Sequence, residues 1–195
     1  MEAETEGIRL ELPKRKNIRL KDYDYTQPGA YFITICVKDK HELLGIVVET
    51  TAPGRPQNEN NRSFVELTPL GVCVDETMQS ANKGNVKIDK YVIMPNHIHM
   101  IVILRQYPDD RGRLNEDTDE QGKSNEDPDD RGRSSLQQVV RNIKSFVTKW
   151  AGFSMWQPRF HDHIIRDEDD YWRIWKYIDE NPAKWAEDKY YCGNN

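Results

Sequence analysis

The chain has 195 residues, of which 36% are hydrophobic and 31% charged, and its formal net charge at pH 7 is -5. This composition is typical of a folded globular protein, and the longest apolar runs are only of strand length, so the sequence predicts no membrane span. The N-terminus is charged and has no apolar segment of the kind a signal peptide needs, and the three cysteines form no CxxC pair, so we expect a cytoplasmic protein without a disulfide framework.

The excess negative charge lies in one segment, residues 107–133. This segment holds ten Asp/Glu and five Lys/Arg, so the rest of the chain is electrically balanced. It contains an internal duplication, PDDRGR at 108–113 and again at 128–133, and almost no apolar residues. We predict a disordered acidic insertion within the domain, with mimicry of DNA as the alternative interpretation. The acidity of the whole chain therefore does not exclude a nucleic-acid partner.

The first predicted elements are two strands and a helix. Residues 31–37 and 41–48 are rich in β-branched and aromatic residues, which predicts a pair of strands around a turn at 38–40. Thr68 and Pro69 then supply an N-cap and a first-turn proline, and apolar residues follow at helical spacing. A helix is therefore expected directly after residue 68.

Two further strands, at 86–94 and 97–104, are predicted to join tightly at Pro95-Asn96, so the second strand opens with two histidines. His97 and His99 are two residues apart, and side chains at that spacing in a strand project to the same face. Two neutral imidazoles so placed can chelate one divalent cation. A hydrogen-bonded structural pair is the alternative, and the spacing alone does not decide between them.

Beyond the insertion the sequence predicts a helix, a short extended piece at 160–166, and a last helix from about 168 to 181 before Pro182. Ser134 and Ser135 can cap the first of these helices. Its other face carries Arg141, Lys144 and Lys149. Its apolar stripe comprises Leu136, Val139, Val140, Ile143, Val147 and Trp150.

This order of elements predicts an α+β fold, a ferredoxin-like antiparallel sheet covered by helices on one face. We expect an N-terminal basic and aromatic arm at 1–25, a domain at 26–185 that contains the insertion, and a C-terminal tail at 186–195. The arm, with its tyrosines and basic run, suits contact with unpaired bases but equally describes a flexible tail.

The last predicted helix carries a tyrosine that the core does not need. Tyr177 lies roughly 100° from the centre of the apolar stripe. Asn181, one turn later, and Arg173, one turn earlier, point the same way, and Lys184 joins them if the helix continues. A tyrosine beside cations and a metal can attack phosphorus, because positive charge favours the phenolate. An ordinary rim tyrosine is the alternative. The stripe itself comprises Tyr171, Ile174, Trp175 and Ile178.

Three stretches together resemble the REP-associated tyrosine transposases, bacterial relatives of the small single-tyrosine insertion-sequence transposases of the HUH class. They are IRLKDYDYTQPGAYFITICV at 18–37, VKIDKYVIMPNHIHMIVIL at 86–104 and WQPRFHDHIIRDEDDYWRIWKYIDENPAKW at 156–185. The combination of MPNHxH with WQ, HIIR and YIxxNP is far more specific than HxH alone, and it covers nearly all of the domain outside the insertion.

The resemblance implies a ferredoxin-like transposase that cleaves and rejoins single-stranded or hairpin DNA through a 5′-phosphotyrosyl intermediate. By this resemblance Tyr177 is the nucleophile, and His97, His99 and Asn181 hold Mg²⁺ or Mn²⁺. The broader insertion-sequence relatives typically carry a glutamine where this chain has Asn181. Relatives act as monomers or as homodimers, and the sequence does not choose between these states.

Further cations and histidines are candidates for supporting roles. Arg159, Arg166, Arg173 and Lys144 are predicted DNA contacts, because cations fix phosphate positions, with plain surface charge as the alternative for each. For His161 and His163 a packing or hydrogen-bonding role is favoured over metal binding. Two other functions stay open at this point: a non-catalytic RRM-like nucleic-acid-binding module and a metal-dependent DNA hydrolase.

Overall fold

The computed structural model describes residues 27–50, 62–105 and 135–192. The N-terminal arm and the acidic insertion predicted from the sequence lie outside these ranges, as does Ser134 of the predicted helix cap. Within the described ranges, every helix is too short or too polar to cross a membrane.

The described part of the chain contains six strands and three α-helices, with short 3-10 turns at Lys38–Lys40 and Pro182–Glu187. In chain order the elements are β1 (Gly29–Cys36), β2 (Gly45–Thr50), β3 (Arg62–Leu67), α1 (Pro69–Ser80), β4 (Val86–Met94), β5 (His97–Leu104), α2 (Ser135–Ala151), β6 (His161–Ile165) and α3 (Glu168–Glu180).

The central sheet has the strand order β4-β5-β1-β6, and all neighbouring strands are antiparallel. Counted along the chain, these are its second, third, first and fourth strands, with α1 and α2 in the two crossovers. That order is the ferredoxin-like arrangement, so the predicted α+β fold is confirmed. The predicted β4–β5 hairpin is confirmed with both strands at their expected bounds.

The predicted pairing of residues 31–37 with 41–48 is wrong. The second strand begins only at Gly45 and pairs with β3, which the sequence did not predict, in a separate two-stranded sheet. The physical reason is competition for the edges of β1. One edge is paired with β5 and the other with β6, so neither is left for the segment that follows β1 in the chain.

The alternation of side chains along β5 divides the core between two faces of the sheet. Ile98 and Met100 face a core shared with α1 and α2, whereas Ile101 packs against Ile174 and Ile178 of α3. Two helices therefore cover one face, as predicted, and the third covers the opposite face, which carries the histidines. Among the described α-helices, α3 alone lies on the side where His97 and His99 project.

The helix starts and stripes follow local sequence closely. The Thr68 hydroxyl accepts the N–H of Gly71 at 3.2 Å, which confirms the predicted cap of α1. In α2 the predicted stripe is buried except for Trp150, which is 55% exposed. Trp150 stands in the last turn of the helix, directly before the chain turns at Gly152, so periodicity placed it on the stripe without any element to cover it.

Candidate active site

β5 begins with two histidines whose rings meet on one face of the sheet. The Nε2 atoms of His97 and His99 lie 3.0 Å apart, and the two residues are 0% and 1% exposed. Adjacent ligands of an octahedral ion with bonds of about 2.1 Å lie about 3.0 Å apart. The spacing of the two nitrogens therefore suits a single ion.

Hydrogen bonds on the far side of each ring orient the two imidazoles. The Asn96 amide donates N–H bonds to two backbone carbonyls, so its Oδ1 is the acceptor for the Nδ1–H of His97 at 2.9 Å. The Nδ1 of His99 bonds to the hydroxyl of Thr34, its neighbour on β1, at 2.8 Å. A proton on Nδ1 leaves the lone pair on Nε2. His97 therefore presents a lone pair to the site.

Burial keeps both imidazoles neutral at physiological pH. It lowers the pKa of His97 to about 4 and holds the pKa of His99 well below its usual value, because a charged ring would lose its hydration. Neutral imidazole is the form that binds metal ions. The pair can therefore accept a cation without first releasing protons.

Helix α3 brings Tyr177 to the histidines by burying its neighbours. Ile174 and Ile178 pack against Ile101, which lies two residues beyond His99 on the same face of β5. Tyr177 precedes Ile178 and is turned from it by about 100°. Its hydroxyl reaches 3.2 Å from the Nε2 of His99, while the residue stays 39% exposed. The predicted position of Tyr177 off the buried stripe is confirmed.

Burial and the neighbouring carboxylate of Asp188 together keep this tyrosine protonated. Its Oδ2 lies 3.4 Å from the Tyr177 hydroxyl and accepts an N–H of Asn181 at 3.2 Å. Burial first, and the negative charge of Asp188 second, raise the pKa of Tyr177 to about 12. The phenol therefore keeps its proton at neutral pH in the protein alone.

The cations expected beside Tyr177 are engaged with carboxylates instead. Lys184 lines the cleft, but its ammonium pairs with Glu180 at 2.7 Å. Arg173 pairs with Asp170, and its side chain is 73% exposed. Lys189 also lines the cleft, but its ammonium lies over the ring of Tyr190, 4.8 Å from the centroid. The expectation that neighbouring side-chain cations favour the phenolate is therefore wrong for the protein alone.

Asn181 supplies an oxygen that finds no partner among the described residues. The residue is 2% exposed, and its Oδ1 is buried without a hydrogen bond. Leaving such an acceptor unsatisfied costs about 1–3 kcal/mol, so a ligand is expected there. The ligand atoms of His97, His99 and Asp188 all lie within 4.8 Å of one another. This set of nitrogen and oxygen donors fits a divalent cation.

A cleft of about 460 Å³ is lined by four residues of the site, His99, Tyr177, Asn181 and Asp188. The ring of Phe32 meets that of Tyr177 edge-on, with centroids 6.0 Å apart, and forms one wall. The cleft is open enough for the phenol to be reached from outside. Its charged lining residues are Glu180, Lys184, Glu187, Asp188 and Lys189.

Comparison with known proteins identifies a relative of nearly equal length. The chain is 35% identical over 185 residues to a protein of Haemophilus influenzae described only as uncharacterized, and the match covers 91% of this chain and 93% of that protein. The chain belongs to the family of that protein. No family model matches the chain.

The fold of this family member has a solved counterpart. It superposes on the structure of a REP-associated tyrosine transposase bound to a REP hairpin with a TM-score of 0.55 and 21% identity, covering 88% of this chain and 76% of the other. The resemblance read from the sequence is thereby confirmed at the level of the fold. A crystal structure from Deinococcus radiodurans is less similar, with 13% identity and a TM-score of 0.37 over 83% of this chain and 97% of the other.

In this family member the predicted DNA-contact cations lie outside the cleft. Arg159 and Arg166 are exposed on either side of β6. Lys144 is half-buried on α2 and donates to the backbone carbonyls of Gln157 and Arg159 at 2.8 and 3.0 Å. Arg173 is held by Asp170. DNA contact by these four residues stays a prediction.

The second pair of histidines also stands apart from the site. His161 and His163 are exposed, and the Nε2 of His163 bonds to Asp170 at 2.7 Å, across from the start of α3. The hydrogen-bonding role favoured from the sequence is confirmed for His163. Neither residue lines the cleft.

Sequence reasoning missed the C-terminal contribution to the site. The sequence predicts a C-terminal tail from residue 186 onward. In the structure, however, Tyr190 is only 9% exposed, and its ring packs at a tilt against that of His97, with centroids 4.5 Å apart. The boundary was wrong because Trp185 and Tyr190 bury apolar surface against Met94. Asp188 lies between them and enters the site. Its sequence context offered no signal, since a single carboxylate in a polar stretch resembles any surface residue.

Proposed function

We propose that this protein is a single-tyrosine HUH transposase, a strand transferase that cleaves and rejoins single-stranded or hairpin DNA in the cytoplasm. The observation that carries the proposal is the convergence of the Tyr177 hydroxyl on the His97–His99 pair, 3.2 Å from the Nε2 of His99. The sequence motifs support it, and so does the fold shared with a transposase bound to a DNA hairpin. The chain acts as a monomer or a homodimer.

The residues define the bond changes. The Tyr177 oxygen bonds to a DNA phosphorus, the P–O3′ bond breaks, and a 5′-phosphotyrosyl adduct with a free 3′-OH results. Asp188 is placed to accept the phenolic proton, and it binds the N–H of Asn181, whose amide oxygen is left without a partner among the described residues. His97, His99 and Asn181 would hold Mg²⁺ or Mn²⁺, whose charge would polarise the phosphate and stabilise the leaving oxygen. A second 3′-OH then attacks the phosphorus, the P–O bond to Tyr177 breaks, a proton returns to the phenol, and the strands are rejoined.

The proposal is tested by trapping the covalent product. An end-labelled pool of hairpins with randomised single-stranded flanks is incubated with protein and Mn²⁺ and run on a denaturing gel. We expect a protein–DNA band that Tyr177→Phe abolishes. Tyr191→Phe is the matched control, because Tyr191 is 40% exposed against 39% for Tyr177 but contacts Trp185 rather than the histidines.

The other outcomes identify the competing functions. DNA binding that survives both chelator and Tyr177→Phe, with no covalent band, would indicate an RRM-like binding module. Shortened DNA with no attached protein would indicate a metal-dependent hydrolase. Either result overturns the transferase proposal.

A further inference from the structure

A second cavity, of about 470 Å³, lies along α2 on the other face of the sheet from the histidines. We call it the α2 groove. It lies between α2 and the segment that leads to β6, and the proposed chemistry makes no use of it. Its principal lining residues are Arg141, Lys144, Lys149, Trp156, Gln157 and Phe160.

The groove is basic in a chain that is acidic overall. Residues 134–161 contain four Lys/Arg and no Asp or Glu, against a net charge of -5 for the whole chain. Arg141 and Lys149 are exposed. Lys144 ties α2 to the facing segment through two carbonyls, so the groove is a built feature rather than a gap between loops. Three cations along one wall suit a polyanion.

Trp156, which lines the same groove, carries an indole donor without a partner among the described residues. Trp156 is 6% exposed, and its Nε1–H is buried with no acceptor among the described residues. A buried donor of this kind is normally satisfied, so an acceptor from a ligand is expected. The groove therefore offers positive charge together with one directed hydrogen-bond donor.

The groove and the histidine pair lie near the same end of the sheet. The N–H of Gln157 donates to the carbonyl of Cys36 at 2.9 Å, and Val37 forms an isolated bridge with Trp156. Cys36 lies directly opposite His97 in the β1–β5 register. A single extended chain passing around the end of β1 can therefore occupy both sites.

We propose that the α2 groove binds the single-stranded DNA segment adjoining the one that lies in the cleft. Arg141, Lys144 and Lys149 contact backbone phosphates, and the indole N–H of Trp156 donates to a phosphate or base oxygen. This inference rests on the proposed function in taking DNA as the substrate. Beyond that function, the inference names the α2 groove as the place where the strand is held and its three cations and Trp156 as the residues that supply affinity.

The test is the affinity of a fluorescein-labelled, mixed-sequence single-stranded 20-mer, measured by anisotropy in 0.1 M salt. Each phosphate contact on single-stranded DNA is worth about fivefold at that salt, so Arg141→Gln/Lys149→Gln should weaken binding about 25-fold and flatten the salt dependence by about 1.4 in log–log slope. The control, Arg105→Gln/Lys83→Gln, removes the same charges at exposed positions at the far end of the sheet and should have little effect.

A second variant tests the indole without changing the charge. Trp156→Phe keeps an aromatic ring and removes an N–H that has no protein partner, so the fold should persist, as checked by thermal melting. We expect about fivefold weaker binding, the usual effect of losing one hydrogen bond. Wild-type affinity in this variant would overturn the role of Trp156.

The outcomes separate this inference from the proposed function. If wild-type protein forms the Tyr177 adduct but Arg141→Gln/Lys149→Gln binds like its control, the groove proposal is wrong and the transferase stands. If the groove variant loses affinity but wild-type protein never forms an adduct, the groove binds DNA and the transferase is wrong.

Discussion

The histidine cleft and the α2 groove are nearly equal in volume, about 460 and 470 Å³, and both adjoin the end of β1, but they differ in charge. Three carboxylates and two lysines line the cleft, whereas three cations and no carboxylate line the described groove. A cleft with this balance has little attraction for phosphates until a cation is bound. The difference suggests that affinity for DNA and chemistry on DNA reside on opposite faces of one sheet.

Removing a histidine of the site should have the largest effect of all the predicted changes. It should slow the formation of the Tyr177–DNA adduct without changing the affinity for DNA. Loss of a hydrogen-bond partner of a metal ligand typically costs about 10–100-fold, so loss of the ligand in His99→Ala should slow adduct formation by more than about a hundredfold at limiting Mn²⁺. Single-turnover gels measure the rate, and anisotropy should show unchanged DNA affinity. His163→Ala, on exposed β6, is the control. Equal rates in both variants would remove the cleft from the mechanism.

Acid should destabilise the folded protein through the buried His97. The pKa of His97 is lowered to about 4, so between its ordinary value near 6.5 and pH 4 the unfolded chain binds more protons than the folded one. The free energy of unfolding should therefore fall as pH drops through this window, by about 3 kcal/mol from this residue, and change no further below it. Urea melts of wild type and His97→Gln measure the difference. The variant should be distinctly less sensitive to acid.

Substitutions at Asn181 distinguish a metal ligand from a structural amide. If Asn181 is a metal ligand, the Asn181→Asp variant keeps a ligand oxygen and should still bind Mn²⁺. The Asn181→Leu variant loses that oxygen, and its affinity for Mn²⁺ should fall by about 10–100-fold. If Asn181 serves only as a hydrogen-bond donor to Asp188, the Asn181→Asp variant should bind Mn²⁺ more weakly than Asn181→Leu, because it places two carboxylates next to each other. Calorimetric titration with Mn²⁺ ranks the two variants. Weaker Mn²⁺ binding by Asn181→Asp than by Asn181→Leu would exclude Asn181 from the metal site.

The smallest expected effect is a pH response that differs between the two sites. Burial lowers the pKa of Lys144 to about 8, so this groove cation loses its charge as pH rises from 7 to 9, and DNA affinity should fall by about fivefold. Lys144→Met should bind weakly and show no such change. Over the same range adduct formation should accelerate, because Tyr177, with a pKa raised to about 12, must lose its proton. Parallel pH responses in the two assays would argue against separate sites.

Much of the candidate site was predictable because its signals are local. Alternation in β5 puts His97 and His99 on one face, and helical periodicity sets Tyr177 off the stripe of Ile174 and Ile178. Each follows from the geometry of a single element. The bounds of β4 and β5 and the cap of α1 were predictable for the same reason.

Long-range competition decided the rest. The segment after β1 has strand-forming residues, but which strand it joins depends on the occupied edges of β1, and local pattern carries no information about that. Asp188 reaches the site only because the surrounding C-terminal segment buries its aromatic residues. The raised pKa of Tyr177 follows first from burial in the folded protein and then from that carboxylate, so it could not be inferred from the predicted cations.

By itself, the amino-acid sequence determined the order of elements, the paired histidines, the off-stripe tyrosine and the charge segregation between residues 107–133 and 134–161. Tertiary structure alone decided that the phenol and the imidazole meet, because these residues are 78 positions apart and join through the packing of Ile174 and Ile178 on Ile101. It also brought the α2 groove and the cleft to one end of a sheet. Periodicity orients a side chain within its own element, and only packing between elements sets the distance to another.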